Sequence, residues 1–168
     1  MKLKVIVAAL CAAMAVSSYA AKVSKSVPKG WVEDFAAAQK TAEKEKKLIL
    51  LAFSGSDWCG WCVKMDKEVY SDKKFIQKAK DKFVLVMIDS PQDKEILTQL
   101  AQRQNPKLVS KYSIRGFPCS IVVKANGDEV KRFGGYQRGG PDAFLEKLDE
   151  VAKSEGIEGP SAEQAPKK

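Results

Sequence analysis

The chain has 168 residues, 45% of them hydrophobic, which suits one globular domain and is too short for two of full size. Lys and Arg number 29 against 21 Asp and Glu, a formal net charge of +8. Histidine is absent, which excludes a His general base, a Cys–His or Ser–His nucleophile and a His metal ligand. Chemistry must come from Cys, carboxylates, Lys or Tyr.

The first residues read as an address. Lys2 and Lys4 precede an uncharged Ala/Val/Leu-rich run from Val5 to Val16, followed by Ser17-Ser18-Tyr19-Ala20. A basic start, an apolar run and small residues at Ser18 and Ala20 predict a signal peptide over 1–20, cut after Ala20. The run falls short of the ~20 residues that span a bilayer. Leu10 before Cys11 is not the small residue that a lipidation signal wants. Cleavage removes Lys2, Lys4 and Cys11, lowering the charge from +8 to +6 and leaving Cys59, Cys62 and Cys119. The expected location is the periplasm or outside the cell, where disulfides persist, with no membrane insertion after cleavage.

A polar leader over 21–30 comes next. Glu33–Lys47 has helical composition, with Phe35, Ala36 and Ala42 on its apolar side. Trp31 and Phe35 read as packing for that helix. Leu48–Phe53 is a continuous apolar run that ends at Ser54-Gly55-Ser56-Asp57, as a strand buried on both faces does. Cys59–Val69 turns helical, with Cys62, Met65 and Val69 along one side, and Asp72 is placed to cap a short helix holding Phe75, Ile76 and Ala79. Phe83–Asp89 is a second buried strand. Lys94–Tyr112 is predicted helical but interrupted at Asn105-Pro106. Cys119–Lys124 and Glu129–Phe133 flank Asn126-Gly127, a hairpin signal. Gly134-Gly135 then breaks the chain, and Tyr136 after it reads equally as core or as the rim of a groove. Pro141–Ala152 is an amphipathic helix with Phe144, Leu145, Leu148 and Val151 inward, and Gly156–Lys168 is a polar tail. Strands separated by helices run parallel and the hairpin adds an antiparallel pair. The expected fold class is therefore α/β, a mixed sheet with helices on both faces.

The chemistry concentrates at Cys59-Gly60-Trp61-Cys62, where a buried strand hands over to a helix. Residues i and i+3 on a first helical turn lie about 5–6 Å apart, within the window a disulfide tolerates. Cys59 sits at the positive end of that helix, where a thiolate gains about 1–2 kcal/mol. Its thiol is thereby pulled below its ordinary range, making Cys59 the attacking nucleophile and Cys62, one turn in, the resolving thiol. A static bridge closing so short a loop adds little stability. A zinc site wants about four Cys or His ligands, and three thiols do not supply them, so no metal is expected. Cys119 reads as a small buried residue at a strand start, with a third redox thiol as the alternative. The lysines are dispersed among acids, as on solvated helix faces, and give no nucleic-acid stripe.

Trp58-Cys59-Gly60-Trp61-Cys62, Arg115-Gly116-Phe117-Pro118, the Asn126-Gly127 hairpin and Gly134-Gly135 together resemble a thioredoxin-fold protein from about Trp31 to Ala152. More narrowly they resemble exported thioredoxin-like proteins with a Ser-Asp-Trp-Cys-x-x-Cys site. The resemblance implies a thioredoxin-like domain over 31–154, a signal peptide and leader before it, and a flexible tail over 155–168. It implies a cis Phe117–Pro118 bond beside the cysteines. It also implies a substrate-docking set of Trp58, Gly60, Trp61, Phe117 and Pro118, with the two tryptophans as an apolar rim. The implied activity is that of a protein thiol–disulfide oxidoreductase, in the reductase direction. Its only redox group would be the Cys59–Cys62 disulfide, without a dissociable cofactor. Its partners would be cysteine-containing proteins and a membrane thiol–disulfide partner. An oxidase or isomerase of the same fold, or a polypeptide-binding module, are the alternatives. The chain departs from the family where a buried Asp and its Lys partner usually stand: these positions align with Ala52 and Leu85. The usual proton acceptor for Cys62 is therefore missing, and slower resolution of mixed disulfides is expected. Trp61 replaces the familiar Pro between the cysteines, and Cys119 replaces the Thr common after the cis-Pro.

Overall fold

The computed structural model describes residues 24–159; the proposed signal peptide, its cleavage point and Cys11 lie outside them, as does the end of the tail. In chain order the elements are α1 (Phe35–Glu45), β1 (Leu48–Ser54), α2 (Gly60–Met65), a π-helical turn (Asp66–Tyr70), α3 (Lys73–Ala79), β2 (Phe83–Asp89), a 3-10 turn (Lys94–Ile96), α4 (Gln99–Lys111), β3 (Cys119–Val123), β4 (Glu129–Gly134) and α5 (Gly140–Ser154).

The four strands form one sheet in the order β2-β1-β3-β4. β1 and β2 are parallel, from Leu48 opposite Phe83 to Ser54 opposite Asp89. β3 is antiparallel to β1 and β4 antiparallel to β3. The apolar run of β1 is buried throughout, because the strand is central and covered on both faces. Alternation splits its side chains. Leu48, Leu50 and Ala52 face α3, α5 and the α2–π segment, packing with Met65, Tyr70, Phe75 and Phe144. Ile49, Leu51 and Phe53 face α1 and α4, packing with Phe35, Ala38, Ala42 and Leu108.

Side-chain oxygens start the helices. Asp34, Asp72 and Thr98 each accept a hydrogen bond from a backbone N–H in the first turn of α1, α3 and α4. In α1 the buried alanines are Ala38 and Ala42, and Ala36 is exposed, because the inward stripe repeats from Phe35 at i+3 and i+7. Trp31 lies on the opposite face of the sheet from α1, with its indole N–H donating to the Tyr70 carbonyl at 2.8 Å. The leader is docked from Ser24, which donates through both its N–H and its hydroxyl to the buried Glu33 carboxylate. Thr98 donates to the other oxygen of Glu33. At the far end Ile157 packs on the core and its N–H donates to the Ala152 carbonyl at 2.9 Å.

Pro106 corrects the expected interruption. It lies inside α4, which runs through it, and the break falls instead at Leu97–Thr98. Proline withholds a backbone donor but here the neighbouring side chains hold the helix in place. Gln104 bridges the start of α1, accepting from the Phe35 N–H at 2.9 Å and donating to the Glu33 carbonyl at 2.7 Å. Asn105, buried, donates to the Asp89 carbonyl at 2.8 Å. Replacing Asn105 with Ala strips that buried carbonyl of its side-chain donor. The expected loss is about 1–3 kcal/mol in denaturant unfolding, with the helix content of the native state retained.

Candidate functional site

The site forms where β1 ends. Gly55–Trp58 leads from the strand into α2, and the segment after β2 runs beside it. Six hydrogen bonds tie the two together. Ser90 N–H donates to the Ser54 carbonyl at 2.8 Å. Ser56 donates to the buried Asp89 carboxylate through its N–H at 2.9 Å and its hydroxyl at 2.6 Å. Asp57 accepts from the N–H groups of Gln92 and Asp93, both at 2.9 Å. Those two backbone donors, Asp93's foremost, hold the exposed Asp57 carboxyl below the usual carboxylate range. Trp58 Nε1–H donates to the Ser90 carbonyl at 2.8 Å. A Cβ on Gly55 would sit 2.4 Å from the Trp58 ring, so the indole lies where only glycine leaves room.

Cys59 is the N-cap of α2. Its N–H donates to the Gly55 carbonyl at 2.9 Å, and its Sγ accepts from the Cys62 N–H at 3.2 Å. Cys59 and Cys62 form a disulfide with their Cα atoms 5.2 Å apart. Cys59 is 8% exposed and Cys62 1%. The pair thus has an outer and an inner sulfur, and the outer one accepts the N–H of the third residue of α2, a donor it shares with the Cys59 carbonyl at 2.9 Å. A thiolate at that position meets both a hydrogen-bond donor and the positive end of the backbone dipoles.

The rim is apolar. Trp58 and Trp61 are 47% and 56% exposed, and Val63 is exposed beside them. The Trp58 ring meets Phe117 edge-on, centroids 5.5 Å apart, and Phe117–Pro118 is a cis peptide. Gly60, the first residue of α2, faces open space. On the far side Trp61 lies against Tyr136, centroids 5.6 Å apart, with the Lys64 ammonium over both rings. The Tyr136 hydroxyl donates to Glu68. Tyr136 therefore serves as groove wall and also packs on the core. The structure sets Phe117 and its cis-linked Pro118 against Trp58, the residue next to the Cys59-Gly60-Trp61-Cys62 turn that starts α2.

Cys119 is a free thiol, buried at the start of β3. It packs with Phe53 and Tyr112, on the face of the sheet opposite the α2–π segment. Burial pushes its thiol up, with a smaller opposing pull from Arg132. On the α2 side Ala52, Leu85 and Met87 are all buried and apolar, so no carboxylate occupies the strand position beneath Cys62. Opposite Ala52 on β3 is Ser120, hydrogen-bonded to the Tyr70 hydroxyl at 2.6 Å. The sequence reading missed Ser56, Asp57, Asp89 and Ser90. Their signal was the polar Ser-Asp pair before Trp58 and the polar end of an otherwise apolar second strand.

Comparison with known proteins agrees with this geometry. A family model described as a thioredoxin-like domain matches residues 35–152. The chain is 31% identical over 121 residues to the disulfide bond reductase DsbH of Chlamydia pneumoniae, covering 72% of each protein. It is 29% identical over 127 residues to the thioredoxin-related protein DsbJ of the same organism, covering 76% of this chain and 36% of that one. A solved DsbH oxidoreductase superposes with a TM-score of 0.67 at 27% identity, covering 79% of this chain and 91% of the other. A thioredoxin from Thermus thermophilus shares the fold, with a TM-score of 0.55 at 22% identity over 74% of this chain and 92% of its own. The chain thus belongs to the thioredoxin-like family and is a thiol–disulfide oxidoreductase.

Proposed function

We propose that the protein is an extracytoplasmic protein-disulfide reductase whose nucleophile is Cys59 and whose resolving thiol is Cys62. The observation that carries this is the Cys59 sulfur at the start of α2, accepting the Cys62 N–H and ringed by exposed tryptophans. The Cys59 thiolate attacks one sulfur of a substrate disulfide. A Cys59–substrate bond forms and the substrate's other sulfur leaves as a thiolate. Cys62 then attacks Cys59, the mixed disulfide breaks, and the substrate leaves fully reduced while the Cys59–Cys62 disulfide remains. Two electrons pass to the substrate. They are returned by a dithiol donor, which in an oxidising compartment points to a membrane thiol–disulfide partner. The disulfide pair is the whole redox apparatus and no dissociable cofactor is needed.

Substrate recognition follows from the rim. Trp58, Gly60 and Trp61, with Phe117–Pro118 against Trp58, present an apolar surface beside Cys59. An extended cysteine-bearing segment fits there by pairing with the backbone at Phe117. The reductase direction is supported by the similarity to a disulfide bond reductase. The location is supported by the basic-then-apolar start of the sequence, and no helix among the described residues is long and apolar enough to cross a membrane.

Three measurements test this reading. Insulin reduction with dithiothreitol should be fast with wild type and fall to background with Cys59→Ser; equal rates would instead favour a polypeptide-binding module. The reduction potential of the Cys59/Cys62 couple should be strongly negative, whereas a value near about −120 mV would mark an oxidase. In the reduced protein at neutral pH, an alkylating reagent should modify Cys59 first. It should reach Cys119 only on unfolding, because a thiol raised by burial carries less thiolate at any given pH.

A further inference from the structure

The resolving step needs a place for the Cys62 proton, and the strand beneath offers Ala52 and Leu85 instead of a carboxylate and a lysine. We propose that Asp66, one turn further along the same helix, takes that proton. This rests on the oxidoreductase reading above and adds to it a catalytic group outside the strand.

Three observations meet at Asp66. Its backbone N–H donates to the Cys62 carbonyl, so the two side chains are stacked one turn apart, about 5–6 Å between Cβ atoms. Unlike its neighbours Lys67 and Glu68, which are exposed, Asp66 is half-buried. It begins the π-helical turn, a local widening often found at working sites.

Its surroundings suit an acceptor. Burial raises the Asp66 carboxyl above its ordinary range, opposed by the hydrogen bond from Ser71 Oγ at 3.1 Å and assisted by the Asp89 carboxylate. A carboxylate pushed upward is a better base for a thiol. Asp89 reaches the same place from β2, where it holds Ser56 under the active-site loop. Tyr70, four residues on, adds a hydroxyl that burial keeps protonated and that is itself bonded to Ser120. The groups around Asp66 are Asp89 from β2, Tyr70 from its own turn and Ser71 just beyond it, and Cys62 lies one helical turn before it along the backbone.

The step balances simply. The Cys62 S–H proton passes to a carboxylate oxygen of Asp66 as the Cys62 sulfur attacks Cys59. The Cys59–Cys62 bond forms, the Cys59–substrate bond breaks, and the electron pair leaves on the substrate sulfur. That thiolate, or water, then takes the proton from Asp66.

Ellman's reagent separates the two stages in the full-length reduced protein. A first thionitrobenzoate is released when Cys59 is captured and a second when Cys62 resolves it. Asp66→Asn should leave the first release within about twofold of wild type and slow the second about 100-fold at neutral pH, the low end for a positioned base. Asp66→Glu should recover most of the rate, and Asp142→Asn, a distant surface carboxylate, should not change it. In a Cys59→Ser background, Asp66→Asn should also shift the Cys62 titration to lower pH, because a neighbouring negative charge is gone. More thiolate with slower resolution is the signature of a lost acceptor, which a merely structural residue would not give. A second release at the wild-type rate in Asp66→Asn overturns the proposal. So does equal slowing by Asp66→Asn and Asp66→Glu with an unmoved Cys62 titration. If Asp66→Asn does not fold, Asp66→Ser replaces it under the same two criteria. Failure of the oxidoreductase reading looks different, since insulin reduction would then be equal in wild type and Cys59→Ser.

Discussion

The contact on which the site depends is the one between the Cys59 sulfur and the Cys62 N–H, 3.2 Å apart at the first turn of α2. A helix begins with backbone donors that have no internal acceptor. Here a sulfur takes the role that Asp34, Asp72 and Thr98 play at the starts of α1, α3 and α4. The same geometry keeps the two cysteines within bridging reach and sets one of them outward. Cap and redox pair are one feature, and the nucleophile we propose is its outer sulfur.

That contact is only as good as the placement of the loop before it. A two-sided apolar strand carries β1 straight to the surface, and the loop then has to turn into α2 without wandering. Ser56, Asp57 and Trp58 each spend a polar group on the segment after β2, and the parallel pairing of β1 with β2 is what brings that segment alongside. Asp89 is shared between the two tasks, with its carboxylate on Ser56 and its carbonyl on Asn105 of α4. The active-site loop is thereby linked through β2 to the helix on the opposite face of the sheet.

Much of this was legible in the sequence because it is local. The apolar runs at Leu48–Phe53 and Phe83–Asp89, the capping Asp72, the Asn126-Gly127 turn and the inward face of Pro141–Ala152 are each decided within a few residues. The pair Cys59 and Cys62 was legible for the same reason. What was hidden depends on distant partners. Pro106 looked like a helix break because its neighbours' bonds to Glu33, Phe35 and Asp89 come from elsewhere in the chain. Trp31 looked like a partner of α1, yet crosses to the other face to reach Tyr70. Ser56 and Asp57 looked like ordinary turn residues until β2 was placed beside them. Ala52 and Leu85 stand where the family's carboxylate and lysine do, but Asp66 drew no notice, since its surroundings are assembled from β2 and the π-helical turn.

The most direct test of the central claim is the ionisation of Cys59 itself. It is read as ultraviolet thiolate absorbance against pH in Cys62→Ser, with Cys119 buried and silent near neutrality. A sulfur held at a helix start should ionise well below an ordinary cysteine, with a substantial thiolate fraction at neutral pH. A Cys59 that ionises only where a free thiol does would contradict the link drawn here between fold and chemistry.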